Sequence, residues 1–293
     1  MTLLCNRTSS GGWHVAEEMQ KGPNKDGLAN TFLIAVFLCL ICSIVVSGLA
    51  VSLKPMQQLN KELDQKKNIL RAAGLLAADS DISADGRTVE EMFADFNVRA
   101  VNLDSGEYTD LVNVESYDPI RAAADSTVSI GLSEDDDIAT LGRRENVSLV
   151  FIKTNDAGID KVVIPVRGFG LWGTLYGYLA LESDLSTIAG LGFYQHKETP
   201  GLGGEVDNPK WKQGWQGVQL YDDGGQPAVD LVKLRSPANS DASRYEVDAL
   251  SGATFTTRGV RNLVNFWAGD LGFGPFLQKL KAQQMQASVG GQH

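Results

Sequence analysis

The segment from Thr31 to Leu53 is apolar throughout and contains no charged residue. As an α-helix it would extend about 35 Å, which is enough to cross the hydrocarbon core of a bilayer with some tilt. A cleaved signal peptide is disfavoured, because the run is longer than a typical signal core and starts well inside the chain. We therefore predict a single transmembrane helix over residues 30–53 and a water-soluble domain after it.

Composition limits what that domain can do. The chain has 293 residues, of which 43% are hydrophobic, enough for one large soluble domain in addition to the anchor. Its formal net charge is −10 and no basic patch is visible, which argues against nucleic-acid binding. The three histidines are far apart in sequence, and no zinc motif or phosphate-binding Walker loop is present. We expect no metal site and no nucleotide hydrolysis.

The three cysteines lie at the N-terminal end of the chain, at Cys5, Cys39 and Cys42. Residues beyond 42 can therefore form neither a disulfide nor a cysteine-ligated metal site. Cys39 and Cys42 share one face of the predicted helix. We interpret them as small residues in a helix interface, because one such pair supplies only half the ligands of an iron–sulfur cluster.

The remaining chain reads as a connector and one mixed domain. After the predicted polar tail at 1–29 and the anchor come a helical connector at 54–86, a folded domain at 87–286 and a disordered tail at 287–293. Strand-like and helix-like patterns alternate without repeating βαβ units, so the expected fold class is α+β. Strands are predicted at 98–103, 148–153, 160–166, 175–181, 188–194 and 228–235, and helices at 88–96, 208–215, 255–267 and 276–286. Residues 104–146 are acidic and are predicted to be an irregular, solvated loop.

Two glycine-rich segments lie within this domain. Pro165 to Gly173 places three glycines around Phe169, Leu171 and Trp172, which allows close approach of the backbone. Glu198-Thr-Pro-Gly-Leu-Gly203 predicts a tight loop, because Pro200 and the glycines favour a turn. Each segment alone is also typical of an ordinary loop.

The stretch Asp248-Ala-Leu-Ser-Gly-Ala-Thr254 is a turn of small residues that leads into an apolar-periodic helix. Free N–H groups and the positive end of the helix dipole make such a place suitable for a phosphate group. By spacing alone an ordinary helix cap is the simpler interpretation. Thr254, Thr256 and Thr257 are the hydroxyl residues near this end.

Together these three motifs resemble the NqrC family, the C subunits of the sodium-translocating NADH:quinone oxidoreductase, and the resemblance extends from about Asp26 to Lys281. It implies that the Thr254 hydroxyl is esterified to the 5′-phosphate of FMN. It also implies an FMN-binding domain whose flavin site includes the two glycine-rich segments and the motif turn, with Lys233 as a candidate phosphate partner. The implied site residues are Leu171, Trp172, Glu198, Thr199, Gly201, Leu202, Gly203, Lys233, Asp248, Ser251, Gly252, Ala253 and Thr254.

The resemblance further implies a function. The chain would be an electron-relay subunit of a six-subunit, sodium-pumping NADH:ubiquinone reductase in the bacterial inner membrane, with FMN attached by a transferase that uses FAD. The NADH site would belong to another subunit, since no G-x-G-x-x-G follows a strand here. Basic residues flanking the anchor weakly favour a cytoplasmic domain, whereas the resemblance implies a cytoplasmic tail and a periplasmic domain. We expect the periplasmic orientation.

Two alternatives remain open at this point. The first is the G-type subunit of the related Rnf complex, which uses ferredoxin and shares the threonine-linked FMN. The charged segment from Lys54 to Leu76 and the acidic insert favour the NqrC family. The second is a membrane-tethered FMN-domain sensor or structural protein, which would usually carry further signalling domains or spans.

Overall fold

A computed structural model describes residues 27–77, 80–156 and 158–290, so most of the predicted polar tail lies outside the described residues. The chain divides into two compact units, with the boundary after Gln58. The first helix, α1, spans Leu28–Ala72 and continues through Pro55. It is the one helix among the described residues that is long and apolar enough to cross a membrane, which fits a membrane-anchored protein.

The remaining unit mixes strands and helices, and the predicted α+β class is confirmed. In chain order its elements are α2 Val89–Phe93, β1 Phe96–Asn102, β2 Glu107–Tyr108, α3 Pro119–Ala124, β3 Ser129–Gly131, β4 Arg143–Glu145, β5 Val147–Asn155, β6 Gly158–Phe169, β7 Thr174–Glu182, β8 Ile188–Gln195, α4 Pro209–Gln213, β9 Asp230–Val232, β10 Glu246–Asp248, α5 Thr254–Ala268 and α6 Gly274–Gly290.

One six-stranded sheet forms the centre of this unit, in the order β2-β1-β5-β6-β7-β8 with antiparallel neighbours. Both of its faces are covered. Alternate residues of β6 show why the strand is apolar at successive positions: Val162 and Ile164 face the α5 and α6 side, whereas Val163 faces the C-terminal part of α1 and α2.

Helix α5 packs on β6 through the residues that its helical spacing identifies. Val260, Leu263, Val264 and Trp267 are fully buried. The Trp267 indole N–H donates to the Arg167 carbonyl at 2.7 Å, which fixes the helix against the sheet. The position of α5 therefore determines where its first turn, at Thr254, lies relative to the sheet.

The acidic stretch 104–146 is more ordered than predicted, since it contains β2, α3, β3 and β4. Asp118 caps α3 by accepting from two backbone N–H groups, and Pro119 opens the helix. Glu145 is fully buried, and two hydrogen bonds from Arg167 to its carboxylate offset the cost of removing that group from water. Long-range pairing of this kind leaves no local pattern in the sequence.

Several element boundaries also differ from the predictions. The strand predicted over 228–235 is confined to Asp230–Val232, because only these residues pair with β10. The last helix continues to Gly290 instead of ending at 286, since residues 287–290 contain no proline that would break it.

A substitution in β7 tests whether this strand is part of the hydrophobic core. Leu179 is fully buried in β7, so Leu179→Ala should lower the free energy of unfolding by about 2–5 kcal/mol. Leu111 is 81% exposed, and Leu111→Ala should change it by less than about 0.5 kcal/mol. Denaturant titration of the full chain in detergent, monitored by circular dichroism, measures both. Equal effects would show that β7 is not part of the core.

Candidate functional site

The motif turn ends at an uncapped helix. Ala253 is the cap residue of α5, and its methyl side chain cannot accept a hydrogen bond from the first-turn N–H groups. Gly252 has φ +72°, a conformation that favours glycine. The Ala253 N–H donates to the Leu250 carbonyl at 3.2 Å, which closes the turn. The positive end of α5 is thus available to an anion.

The three threonines at this end have different environments. Thr254, the first residue of α5, is exposed. Thr256 is fully buried and its hydroxyl donates to Glu198 Oε2 at 2.5 Å. Thr257 is buried as well, and its Oγ1 accepts from the Leu250 N–H at 3.1 Å. Of the three threonines, Thr254 is the exposed one. The hydroxyls of Thr256 and Thr257 are bonded within the protein and fix the turn.

Glu198 joins three segments of the site. Its Oε1 accepts from the backbone N–H groups of Leu171 and Trp172, at 2.9 and 3.1 Å. Its Oε2 accepts from Thr256 in α5, and the side chain itself belongs to the loop after β8. With 5% exposure the carboxylate is buried. The Glu198 carboxylate, which was predicted to contact the flavin, is therefore hydrogen-bonded to protein donors.

Glycines make room for this carboxylate. A Cβ on Gly170 would lie 2.5 Å from Glu198 Oε1, and one on Gly203 would lie 2.5 Å from both Glu198 Oε2 and Thr256 Oγ1. Gly259 in α5 packs directly on the backbone of Phe169 and Gly170. Gly170 and Gly203, one in each predicted segment, are thus explained by close packing around the carboxylate, whereas Gly201 has φ +77° and nothing within 4 Å of an added Cβ.

Large apolar side chains surround the turn without being buried. We call this set the apolar rim; it comprises Phe169, Leu171, Trp172, Leu202 and Phe255. Trp172 is 63% and Phe255 61% exposed. A Cβ on Gly252 would lie 3.2 Å from Leu202 Cδ2, so the glycine loop directly adjoins the motif turn. Exposed apolar surface of this kind suits a flat aromatic ligand or a partner protein.

Strand β10, which leads into the motif turn, is bonded to residues that lie outside the motif. Trp211 donates its indole N–H to the Asp248 carbonyl at 2.8 Å, a contact that the sequence did not indicate. Arg235 Nε lies 3.7 Å from Asp248 Oδ1. Lys233 is exposed in the bend after β9, directly beyond Val232, which pairs with Asp248. A basic stretch therefore adjoins the start of the motif.

Glu246 gives this strand a pH-dependent contact. The Ser236 backbone N–H and hydroxyl both donate to its carboxylate, and together they lower its pKa. A lowered pKa means that the contact stabilises the fold above the ordinary glutamate pKa and is lost as the pH falls through the folded value.

The structure thus brings most predicted site residues together around one turn. Exposed among them are Leu171, Trp172, Thr199, Gly201, Leu202, Lys233, Asp248, Ser251, Gly252 and Thr254; buried are Glu198, Gly203 and Ala253. Thr199 contributes its carbonyl, which accepts from the Leu202 and Gly204 N–H groups. The sequence places Thr256 and Thr257 at this helix end without predicting their contacts, and it does not predict Trp211 or Arg235 as site residues, because these contacts depend on the fold. Among the described residues no cluster of metal-binding side chains occurs.

Comparison with known proteins defines the class. A family model described as "FMN-binding domain" matches residues 170–269, which include both the Glu198 loop and the motif turn. The class is therefore that of an FMN-binding domain.

Relatives that match most of the chain identify the family within this class. The C subunit of the Na(+)-translocating NADH-quinone reductase of Pseudomonas aeruginosa is 45% identical, covering 88% of this chain and 98% of the relative. The protein of the same name from Yersinia pestis is 44% identical over 89% of this chain and 96% of its own length. The crystal structure of Shewanella oneidensis NqrC has a TM-score of 0.66 at 37% identity, covering 76% of this chain and 99% of that one. The chain belongs to the NqrC family, the C subunits of the Na+-translocating NADH-quinone reductase.

The close packing around Gly203 predicts that a methyl group at this position lowers the stability of the fold. Gly203→Ala should displace the Glu198 carboxylate from Thr256 and lower the free energy of unfolding by about 1–3 kcal/mol, since the added methyl group has no room. Gly192→Ala in β8 is the matched control, because a Cβ there meets nothing within 4 Å. Chemical denaturation of the two full-length variants compares them. If Gly203→Ala were as stable as Gly192→Ala, the close packing around Glu198 would be disproved.

Proposed function

We propose that this chain carries FMN covalently, through a phosphoester between the Thr254 hydroxyl and the flavin 5′-phosphate. The observation that carries the proposal is the position of Thr254, an exposed hydroxyl at an uncapped helix N-terminus inside the region matched as an FMN-binding domain. An ester at that position leaves the phosphate next to the first-turn N–H groups of α5, which favour an anion.

The other site residues support the bound cofactor in different ways. Ser251, Gly252 and Ala253 form the turn around the phosphate, and Lys233 and Asp248 line its approach. The apolar rim residues Leu171, Trp172 and Leu202 supply surface for the flavin ring. Glu198, Thr199, Gly201 and Gly203 shape the loop behind them. This division follows from which side chains are exposed and which are buried.

The proposed role is electron relay within a sodium-pumping NADH:ubiquinone reductase. FMN bound in this way supplies one- and two-electron chemistry at the isoalloxazine ring. The chain's own contribution is to hold that cofactor, since the site contains no arrangement of nucleophile, base and acid. The NADH site is assigned to one of the partner proteins in a proposed complex of six subunits.

Attachment requires a separate enzyme in this proposal. A flavin transferase would move FMN from FAD to Thr254, forming the Thr254–phosphate bond and releasing AMP as the other half of FAD. The exposed Thr254 and the open motif turn are accessible to such an enzyme. The sequence contains no nucleotide-activating motif that would support self-catalysed attachment.

The proposed location is the bacterial inner membrane. Helix α1 would cross the lipid bilayer once over 30–53, with residues 54–86 as the connector and the FMN-binding domain over 87–286 in the periplasm. The apolar composition of α1 supports the crossing. A covalent link suits a periplasmic cofactor, because free flavin would be lost by dilution there.

The attachment test compares variants at Thr254 with a variant at Thr256. Co-expressed with the transferase, the wild-type chain should give a fluorescent band on a denaturing gel under ultraviolet light. Thr254→Ala should abolish that band, whereas Thr254→Ser should retain it, because a hydroxyl remains at the same position. Circular dichroism should show both variants folded, since the Thr254 side chain is exposed.

Thr256→Val provides the matched control. It removes a hydroxyl that is buried against Glu198, so fluorescence should be reduced but still present. Fluorescence retained in Thr254→Ala and absent in Thr256→Val would move the attachment site by two residues along α5. No fluorescence in any chain, with active transferase present, would refute covalent attachment.

Topology gives an independent prediction. Protease added to spheroplasts with a sealed inner membrane should degrade the domain beyond residue 58 if that domain is periplasmic. A cytoplasmic marker protein should survive the same treatment. Protection of the domain until detergent is added would instead support the orientation that the flanking charges favour.

A further inference from the structure

We infer that Glu198 is a positioning residue that supplies the flavin site with a buried negative charge, and that it preforms the site without being a flavin ligand. The inference rests on the proposed function, because it concerns the same site. It goes beyond that function by assigning to one side chain both the geometry of the two glycine segments and an influence on the redox potential of the cofactor.

The contacts of Glu198 support a positioning role. All three groups bonded to its carboxylate are donors: the Leu171 N–H, the Trp172 N–H and the Thr256 hydroxyl. An ionised carboxylate only accepts hydrogen bonds, so this set suits the charged form. Oε1 accepts from the turn between β6 and β7, whereas Oε2 accepts from α5. Both oxygens are bonded to protein donors, and at 5% exposure Glu198 has little surface left for contact with a ligand.

Burial gives the carboxylate its second property. Glu198 is 5% exposed, and none of the ion pairs among the described residues includes it. Its charge is therefore stabilised by neutral donors and by the first turn of α5, where Thr256 is the third residue. A buried charge without a counter-ion is screened less than a surface charge. Its electrostatic effect consequently reaches the neighbouring site.

Thr256 connects that charge to the attachment position. It lies two residues after Thr254 in the first turn of α5, so the buried hydroxyl that binds the carboxylate and the exposed Thr254 side chain lie on different sides of the same turn. Reduction adds negative charge to a flavin. A nearby carboxylate disfavours that addition, so Glu198 should lower the midpoint potential of FMN attached at Thr254.

The amide variant separates charge from geometry. In Glu198→Gln, the amide oxygen can still accept from the Leu171 and Trp172 N–H groups, and the amide nitrogen can donate to Thr256 Oγ1. Flavin incorporation by the transferase should stay within about twofold of wild type. The midpoint potential, measured by spectroelectrochemistry of the flavinylated full chain in detergent, should shift to a more positive value. An unchanged or more negative potential would overturn the electrostatic part of the inference.

The alanine variant tests positioning. Glu198→Ala removes every contact of the carboxylate, so flavin incorporation should slow about tenfold, and Glu198→Gln should restore it. Glu205→Gln is the matched control, because Glu205 lies in the same loop and its carboxylate accepts from the Asn208 side chain outside the Glu198 contacts. That control should leave both incorporation and potential at the wild-type values. Incorporation by Glu198→Ala at the wild-type rate would overturn the positioning role.

A flavin-free measurement distinguishes this inference from the proposed function. In the unmodified full chain, the Leu171 and Trp172 amide hydrogens should exchange at least tenfold faster in Glu198→Ala than in wild type, because their acceptor is gone. Glu198→Gln should protect them again. This result does not require FMN attachment, so it stands even if Thr254 is not modified. Exchange unaffected by Glu198→Ala would contradict the contacts themselves.

Discussion

The arrangement of the candidate site depends on one buried carboxylate. Glu198 lies at 5% exposure where the hairpin between β6 and β7, the loop after β8 and the first turn of α5 meet. Leaving the buried Thr256 hydroxyl without its acceptor would cost about 1–3 kcal/mol, and the part-buried Leu171 and Trp172 N–H groups would lose the same acceptor, so one side chain holds the three segments together. Gly170 and Gly203 are required because any side chain there would occupy the position of the carboxylate.

That scaffold explains why one threonine differs from its neighbours. Thr256 and Thr257 have buried hydroxyls that fix the first turn of α5 and the preceding loop, whereas Thr254 is exposed. The cap residue Ala253 leaves the helix end without a side-chain acceptor, so the N–H groups there remain suited to a phosphate. Membership of the NqrC family and the FMN-binding match give this geometry its proposed chemical meaning.

The sequence predicts the local elements of the fold, but it does not predict the contacts between residues that are distant in sequence. Apolar patterns predict the central strands and the buried face of α5, because burial follows local periodicity. Motif resemblance predicts which loops surround Thr254. The order within 104–146 and the contacts of Thr256 and Trp211 are not predictable in this way. They depend on partners distant in sequence, such as Arg167 for Glu145 and Asp248 for Trp211.

The most direct test of the account is peptide mapping of the transferase-modified chain. Trypsin should release the peptide from Tyr245 to Arg258, which contains Ser251 and all three threonines. Mass spectrometry should show this peptide heavier by the mass of FMN less water, and fragmentation should place the addition on Thr254. An addition on Ser251, Thr256 or Thr257, or an unmodified peptide despite active transferase, would contradict the account.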